Sequence, residues 1–118
     1  MTGTQPFPPA VQGAGLVYTS GLVCVDPVTL QPLSADFDGQ CWYVLDQLDI
    51  VLRGHGSDRD HVLKLECFLS DRKYYTAWNA AFAEFFAVRA PARTTTITTL
   101  PAEGLLIEVQ AVATHVEE

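Results

Sequence analysis

The chain has 118 residues, 48% apolar and 18% charged, the balance of a folded globular protein with length for a single core. Seven Lys and Arg stand against fourteen Asp and Glu, a net charge of −7. That charge argues against nucleic acid and against an anionic membrane surface as partners, since both need clustered cations. Cys24, Cys41 and Cys67 are an odd set without CxxC spacing and read as buried hydrophobes in a reducing compartment. With no apolar leader and no run of transmembrane length, the expectation is a cytoplasmic protein.

Residues 1–14 carry Pro6, Pro8 and Pro9 with Gly3 and Gly13, so an irregular lead-in is expected there. Two apolar runs, 16–20 and 22–25, are divided by Gly21 and predict one kinked strand or two short ones. Asp36 is placed to cap a helix over 36–53, whose apolar stripe runs through Phe37, Cys41, Val44, Leu45, Leu48, Val51 and Leu52 to a stop at Gly54. Over 62–69, Leu63, Leu65, Cys67 and Leu69 alternate with Lys64 and Glu66, the period of a half-buried strand. A second helical stripe links Tyr74, Ala77, Trp78, Ala81, Phe82 and Phe85. Strands over 93–100 and 105–114, joined by a loop at 101–104, complete the order β-β-α-β-α-β-β, a single domain over 1–118. This predicts an α+β fold with a mixed sheet, hairpin-like terminal strand pairs and both helices on one face. The bare face is suited to burial in an oligomer.

Familiar catalytic motifs are missing. Gly54-His55-Gly56 is too short for a phosphate loop and follows a helix; His55, His61 and His115 lack metal-ligand spacing. Ser20 before Gly21 is not a nucleophile elbow. Cys41, Cys67 and the aromatics of the second helix read as core. The informative segment is Ala90-Pro91-Ala92-Arg93-Thr94-Thr95-Thr96. Proline restricts the approach to the strand, so Arg93 enters it with little freedom. A planar fork of donors held that way suits a carboxylate, which points to a small anionic ligand. From the residues alone, a salt bridge at a surface or interface remains the competing role for Arg93.

The whole chain resembles the RidA/YjgF family of enamine/imine deaminases. The matching residues are Pro6-Phe7 with Ala10-Val11, residues 16–21, Val51-Leu52 before Gly54, Val62-Leu63-Lys64, residues 78–86, Pro91-Ala92-Arg93, and Leu100-Pro101 leading to residues 107–113. The resemblance implies a chorismate-mutase-like fold and a homotrimer with a central barrel and ligand clefts at subunit interfaces. It implies no cofactor. The arginine matching Arg93 holds the carboxylate of a 2-imino or 2-enamino acid, water attacks the imine carbon, and a 2-keto acid and ammonia leave. By the same resemblance Phe7, Ser20, Asn79, Thr94 and Thr95 line the cleft, and Gln110 occupies a catalytic position.

Two positions depart from that pattern. Phe7 stands where many members have tyrosine, and Gln110 where a glutamate is usual. An amide cannot take a proton from water at neutral pH, so Gln110 is left to hold a water through its carbonyl oxygen. Glu108 lies two residues earlier on the same strand face, displaced by about 6–7 Å, and reads as an interface or surface charge. Alongside hydrolytic deamination, these departures keep open a non-hydrolytic small-carboxylate binder, a pathway enzyme acting on a related imine or enol, and a trimeric interaction protein with a vestigial cleft.

Overall fold

The structure, a computed structural model, describes residues 5–116. Six strands form one mixed sheet: β1 (Ala10–Gly13), β2 (Leu16–Thr19), β3 (Leu22–Val23), β4 (Val62–Leu69), β5 (Ala92–Ile97) and β6 (Ile107–Thr114). Helices α1 (Phe37–Arg53) and α2 (Tyr75–Phe85) pack against it. The main path is β1-β2-β6-β4-β5, with β3 also pairing β6. Only β4–β5 is parallel, because α2 provides the crossover between them. The shortest extent of the molecule is 19 Å, the depth of one sheet and one helical layer.

Both helices form where the apolar spacing predicts. Asp36 caps α1, its Oδ1 accepting from the Gly39 N–H at 2.7 Å. Val44, Leu45, Leu48 and Leu52 are wholly shielded, and with Leu65, Trp78, Ile107 and Val109 they make the core between layers. Cys24, Cys41 and Cys67 are buried and free. Burial raises all three thiol pKa values, Cys41 to about 12, so each stays a protonated hydrophobe.

Several expectations are corrected. The lead-in is not wholly irregular, since Ala10–Gly13 pairs antiparallel with Leu16–Thr19 across a turn whose two residues, Ala14 and Gly15, both have positive φ. The order is therefore β-β-β-α-β-α-β-β. Residues 1–4 and 117–118, included in the expected lead-in and single domain, lie outside the described residues. The last two strands are not a hairpin, because both pair with β4, on opposite sides. Leu63 is 50% exposed: the register shift between Val62 and Lys64 breaks the alternation that would have buried it. Gly54 caps α1 with a helical φ of −69°, and the left-handed residue falls at Gly56 (φ 80°). At Gly21 the kinked strand is bridged by a side chain, Thr19 Oγ1 accepting from the Ala111 N–H at 3.0 Å before β3 rejoins β6.

Two buried polar side chains tie loops to α1. Gln40 Nε2 donates to the carbonyls of Ser34 (3.0 Å) and Gly104 (2.8 Å), and its Oε1 accepts from the Leu106 N–H at 2.9 Å. The loop entering β6 thus has its orphan backbone groups satisfied from the helix. Asp49 accepts from Arg53 Nε (3.0 Å), the Arg59 N–H (3.0 Å) and Arg59 Nη2 (3.2 Å). Burial works to raise the Asp49 pKa, but these hydrogen bonds and the Arg59 charge outweigh it and hold the carboxyl below its usual range.

Gln40→Ala should cost about 2–4 kcal/mol in urea unfolding at fixed protein concentration, because buried backbone groups lose their partners. Asp49→Asn should lower the melting temperature at neutral pH. A depressed carboxyl pKa contributes stability above the unfolded value and loses it as pH falls through the folded one. The gap between Asp49→Asn and wild type should therefore close below about pH 4.

Candidate functional site

Arg93 pairs in register with Leu65, so its side chain lies on the helix-covered face of the sheet. Because β5 is an edge strand, the side chain also reaches the margin of that face. One stripe of α2 meets it there: Tyr75, Trp78, Asn79 and Phe82 stand at i, i+3, i+4 and i+7. The guanidinium carbon lies 4.8 Å from the Phe82 ring centre and 5.7 Å from those of Tyr75 and Trp78. Nη2 donates to Asn79 Oδ1 at 2.7 Å and to the Tyr75 hydroxyl oxygen at 3.2 Å. Three faces of π density and two neutral acceptors therefore position the cation. Among the described residues the ion pairs are Arg53–Asp49, Arg59–Asp49 and His61–Asp58, and no carboxylate meets Arg93.

Thr94 and Thr95 point to opposite faces. Thr95 Oγ1 accepts from Trp78 Nε1 at 3.1 Å beside Arg93, whereas Thr94 Oγ1 accepts from Lys64 Nζ at 2.8 Å on the bare face. Asn79 is brought to Arg93 and Phe7 is 48% exposed. Ser20 turns to its own chain: Oγ donates to the Pro8 carbonyl at 2.7 Å and its N–H to the Pro9 carbonyl at 2.9 Å, which pins the segment carrying Phe7.

Gln110 faces away from Arg93, on the bare face, where Nε2 donates to Glu66 Oε1 at 2.6 Å. With Tyr18 and Lys64 this pair lines a cavity of about 130 Å³. Glu108 lies on the same face between Val23 and Phe68 of the neighbouring strands. The Glu108 carboxylate lies against the backbone at Gly21, in the space a Cβ there would take. Glu108 is half-buried, and burial pushes its pKa up. The expected interface or surface charge at Glu108 is thus a partly desolvated carboxyl. The contacts of Tyr75 with Arg93 and of Glu66 with Gln110 were not assigned from sequence pattern. The helical offset of Tyr75 from Asn79 and the alternation of Glu66 with buried neighbours were the available signals.

Among the described residues no three His, Cys, Asp or Glu side chains gather as a metal site, and no helix is long and apolar enough to cross a membrane.

The model of the family Endoribonuclease L-PSP, which spans the YjgF, RutC and RidA proteins, matches residues 1–115. The chain belongs to this family. Relatives include Protein DfrA of Myxococcus xanthus, 31% identical over 92% of this chain and 84% of that protein. A RutC family protein of Pyrococcus horikoshii is 26% identical over 92% of this chain and 86% of its own. A YjgF-family crystal structure from Neisseria meningitidis superposes with a TM-score of 0.82 at 29% identity, covering 98% of this chain and 92% of that one. A Rid-family protein of unknown function from Yersinia pestis gives 0.84 at 27%, covering 92% and 87%. The α+β architecture of two helices on a mixed sheet is the one these family members share.

A carboxyl group with a raised folded pKa favours folding below its unfolded pKa, and that contribution is lost as pH rises through the folded value. Glu108→Gln should therefore melt higher than wild type at neutral and alkaline pH. The two should converge near about pH 4, where both side chains are neutral.

Proposed function

We propose that this protein is a cofactor-free deaminase that hydrolyses small 2-imino or 2-enamino carboxylic acids to 2-keto acids and ammonia. The observation that carries the reading is Arg93, a cation held by Asn79 and Tyr75 against three aromatic rings, with no carboxylate partner among the described residues. A substrate carboxylate would supply the missing charge. The iminium carbon is already electrophilic, so the site needs orientation, a water and proton transfer rather than a cofactor. Water adds to the C=N carbon, the nitrogen takes a proton, and the carbinolamine then collapses to C=O with loss of ammonia.

Glu108 is the better proton-transfer group than Gln110. Its partly desolvated carboxyl has a pKa moved towards neutrality, while the Gln110 amide cannot take a proton and already donates to Glu66. Arg93 and Glu108 project from opposite faces of one sheet, so a single chain is poorly arranged to offer both to one small molecule. This supports the homotrimer, with Arg93 of one copy and Glu108 of its neighbour meeting in an interface cleft. The bare face, with Tyr18, Val23 and Phe68 on it, is the surface such an assembly would cover. Three free buried cysteines suit a reducing compartment such as the cytoplasm. RNA cleavage, which the family's name describes, is disfavoured here by the charge of −7 and by the commitment of Arg53 and Arg59 to Asp49. The second reading is a carboxylate binder without turnover, favoured by the amide at Gln110.

The test is ammonia release from 2-imino acids generated in place by an amino-acid oxidase. Wild type should accelerate release over the spontaneous rate, and Arg93→Ala should lose both the acceleration and binding of 2-oxobutyrate. Glu108→Gln should keep binding but fall about a hundredfold or more in rate. Full activity in Glu108→Gln, with a gain in Gln110→Glu, would return proton transfer to position 110. Arg93-dependent binding without acceleration would establish the carboxylate binder.

A further inference from the structure

Arg93 has five N–H protons, and the structure accounts for two of them. Both lie on Nη2, one donated to Asn79 Oδ1 at 2.7 Å and the other to the Tyr75 oxygen at 3.2 Å. Nη2 is the nitrogen shared by the two ways an arginine forks a carboxylate, end-on with Nη1 and side-on with Nε. With Nη2 committed, neither fork is open, and an anion meeting Nη1 or Nε needs its second donor from another group. The Tyr75 phenol is that group. Its oxygen accepts from Arg93, its own proton meets no acceptor among the described residues, and the side chain is 43% exposed beside the guanidinium.

We propose that the Tyr75 hydroxyl is a substrate-binding group that donates to the same carboxylate Arg93 holds, so that the anion site is a mixed arginine–phenol pair rather than an arginine fork. The proposal rests on the reading of Arg93 as the carboxylate anchor. Tyr75 and Asn79 are one helical turn apart on α2, so one rigid element sets both contacts to Nη2 and aims the phenol. Asn79, the closer acceptor, locks the guanidinium. Tyr75, the longer contact, is the one with a proton still to give.

The experiment is calorimetric titration of wild type, Tyr75→Phe and Arg93→Ala with 2-oxobutyrate at neutral pH, with far-ultraviolet circular dichroism to compare the folds. Removing an exposed hydroxyl leaves the core untouched. Tyr75→Phe should bind about tenfold more weakly, the loss expected of one hydrogen bond to a charged acceptor. Ligand should also produce a tyrosine absorbance difference in wild type that is absent in Tyr75→Phe. A Tyr75→Phe affinity within about threefold of wild type, or tighter, while Arg93→Ala has lost binding, overturns the role of Tyr75 and leaves the arginine site standing. Unchanged binding by Arg93→Ala, or no binding by wild type, overturns the carboxylate reading and the role of Tyr75 with it.

Discussion

The sheet is covered by helices on one face only, and the rest of the molecule is arranged around that asymmetry. Leu65, Cys67, Ile107, Val109 and Ala111 turn towards α1 and α2 and are buried, while their neighbours Glu66, Glu108, Gln110 and Val112 turn the other way. Strand alternation makes the two sets inseparable: each residue that builds the core dictates a neighbour on the bare face. That face carries apolar side chains, a lysine with a threonine, and an acid–amide pair. Polar groups in such a mixture are costly to bury without hydrogen-bond partners, and the lysine–threonine and acid–amide contacts supply partners to some of them within the chain.

The same asymmetry determines what Arg93 can do. Had it fallen one residue earlier or later it would point to the bare face beside Lys64 and Glu66, where a carboxylate is at hand. On the helix side it meets, among the described residues, aromatic rings, an amide oxygen and a phenol oxygen. These neutral partners orient the guanidinium without cancelling its charge. Glu108 shows the converse: a carboxyl given partial burial, and no cation among the described residues, is pushed towards its neutral form.

Loops are held by a few buried polar side chains rather than by apolar contact alone. Gln40 spends all three of its hydrogen bonds on backbone of residues 34, 104 and 106, which fixes where β6, and with it Glu108 and Gln110, enters the sheet. Asp49 does the same for the segment leading into β4. Ser20, expected in the cleft by resemblance, serves the chain in this way too, fastening the residues around Pro8 and Pro9 to the kink after β2.

Sequence pattern by itself determined the two helices, the strand at 62–69, the buried cysteines and the proline-led entry of Arg93 into its strand. Those features are written in local periodicity, capping residues and a proline-restricted approach, all of which act within a few residues. Pairing β5 and β6 on opposite sides of β4 was not legible, nor was the short strand at Ala10–Gly13, because both depend on contacts far apart in the chain. The β4 register shift that exposes Leu63 was hidden for the same reason. The faces on which Arg93, Gln110 and Glu108 stand relative to one another, and the partners that bind Gln110 and leave the Tyr75 proton unspent, were decided only by the tertiary structure. Alternation tells which residues of one strand share a face, but only the packing of helices and neighbouring strands says which face that is and what waits there.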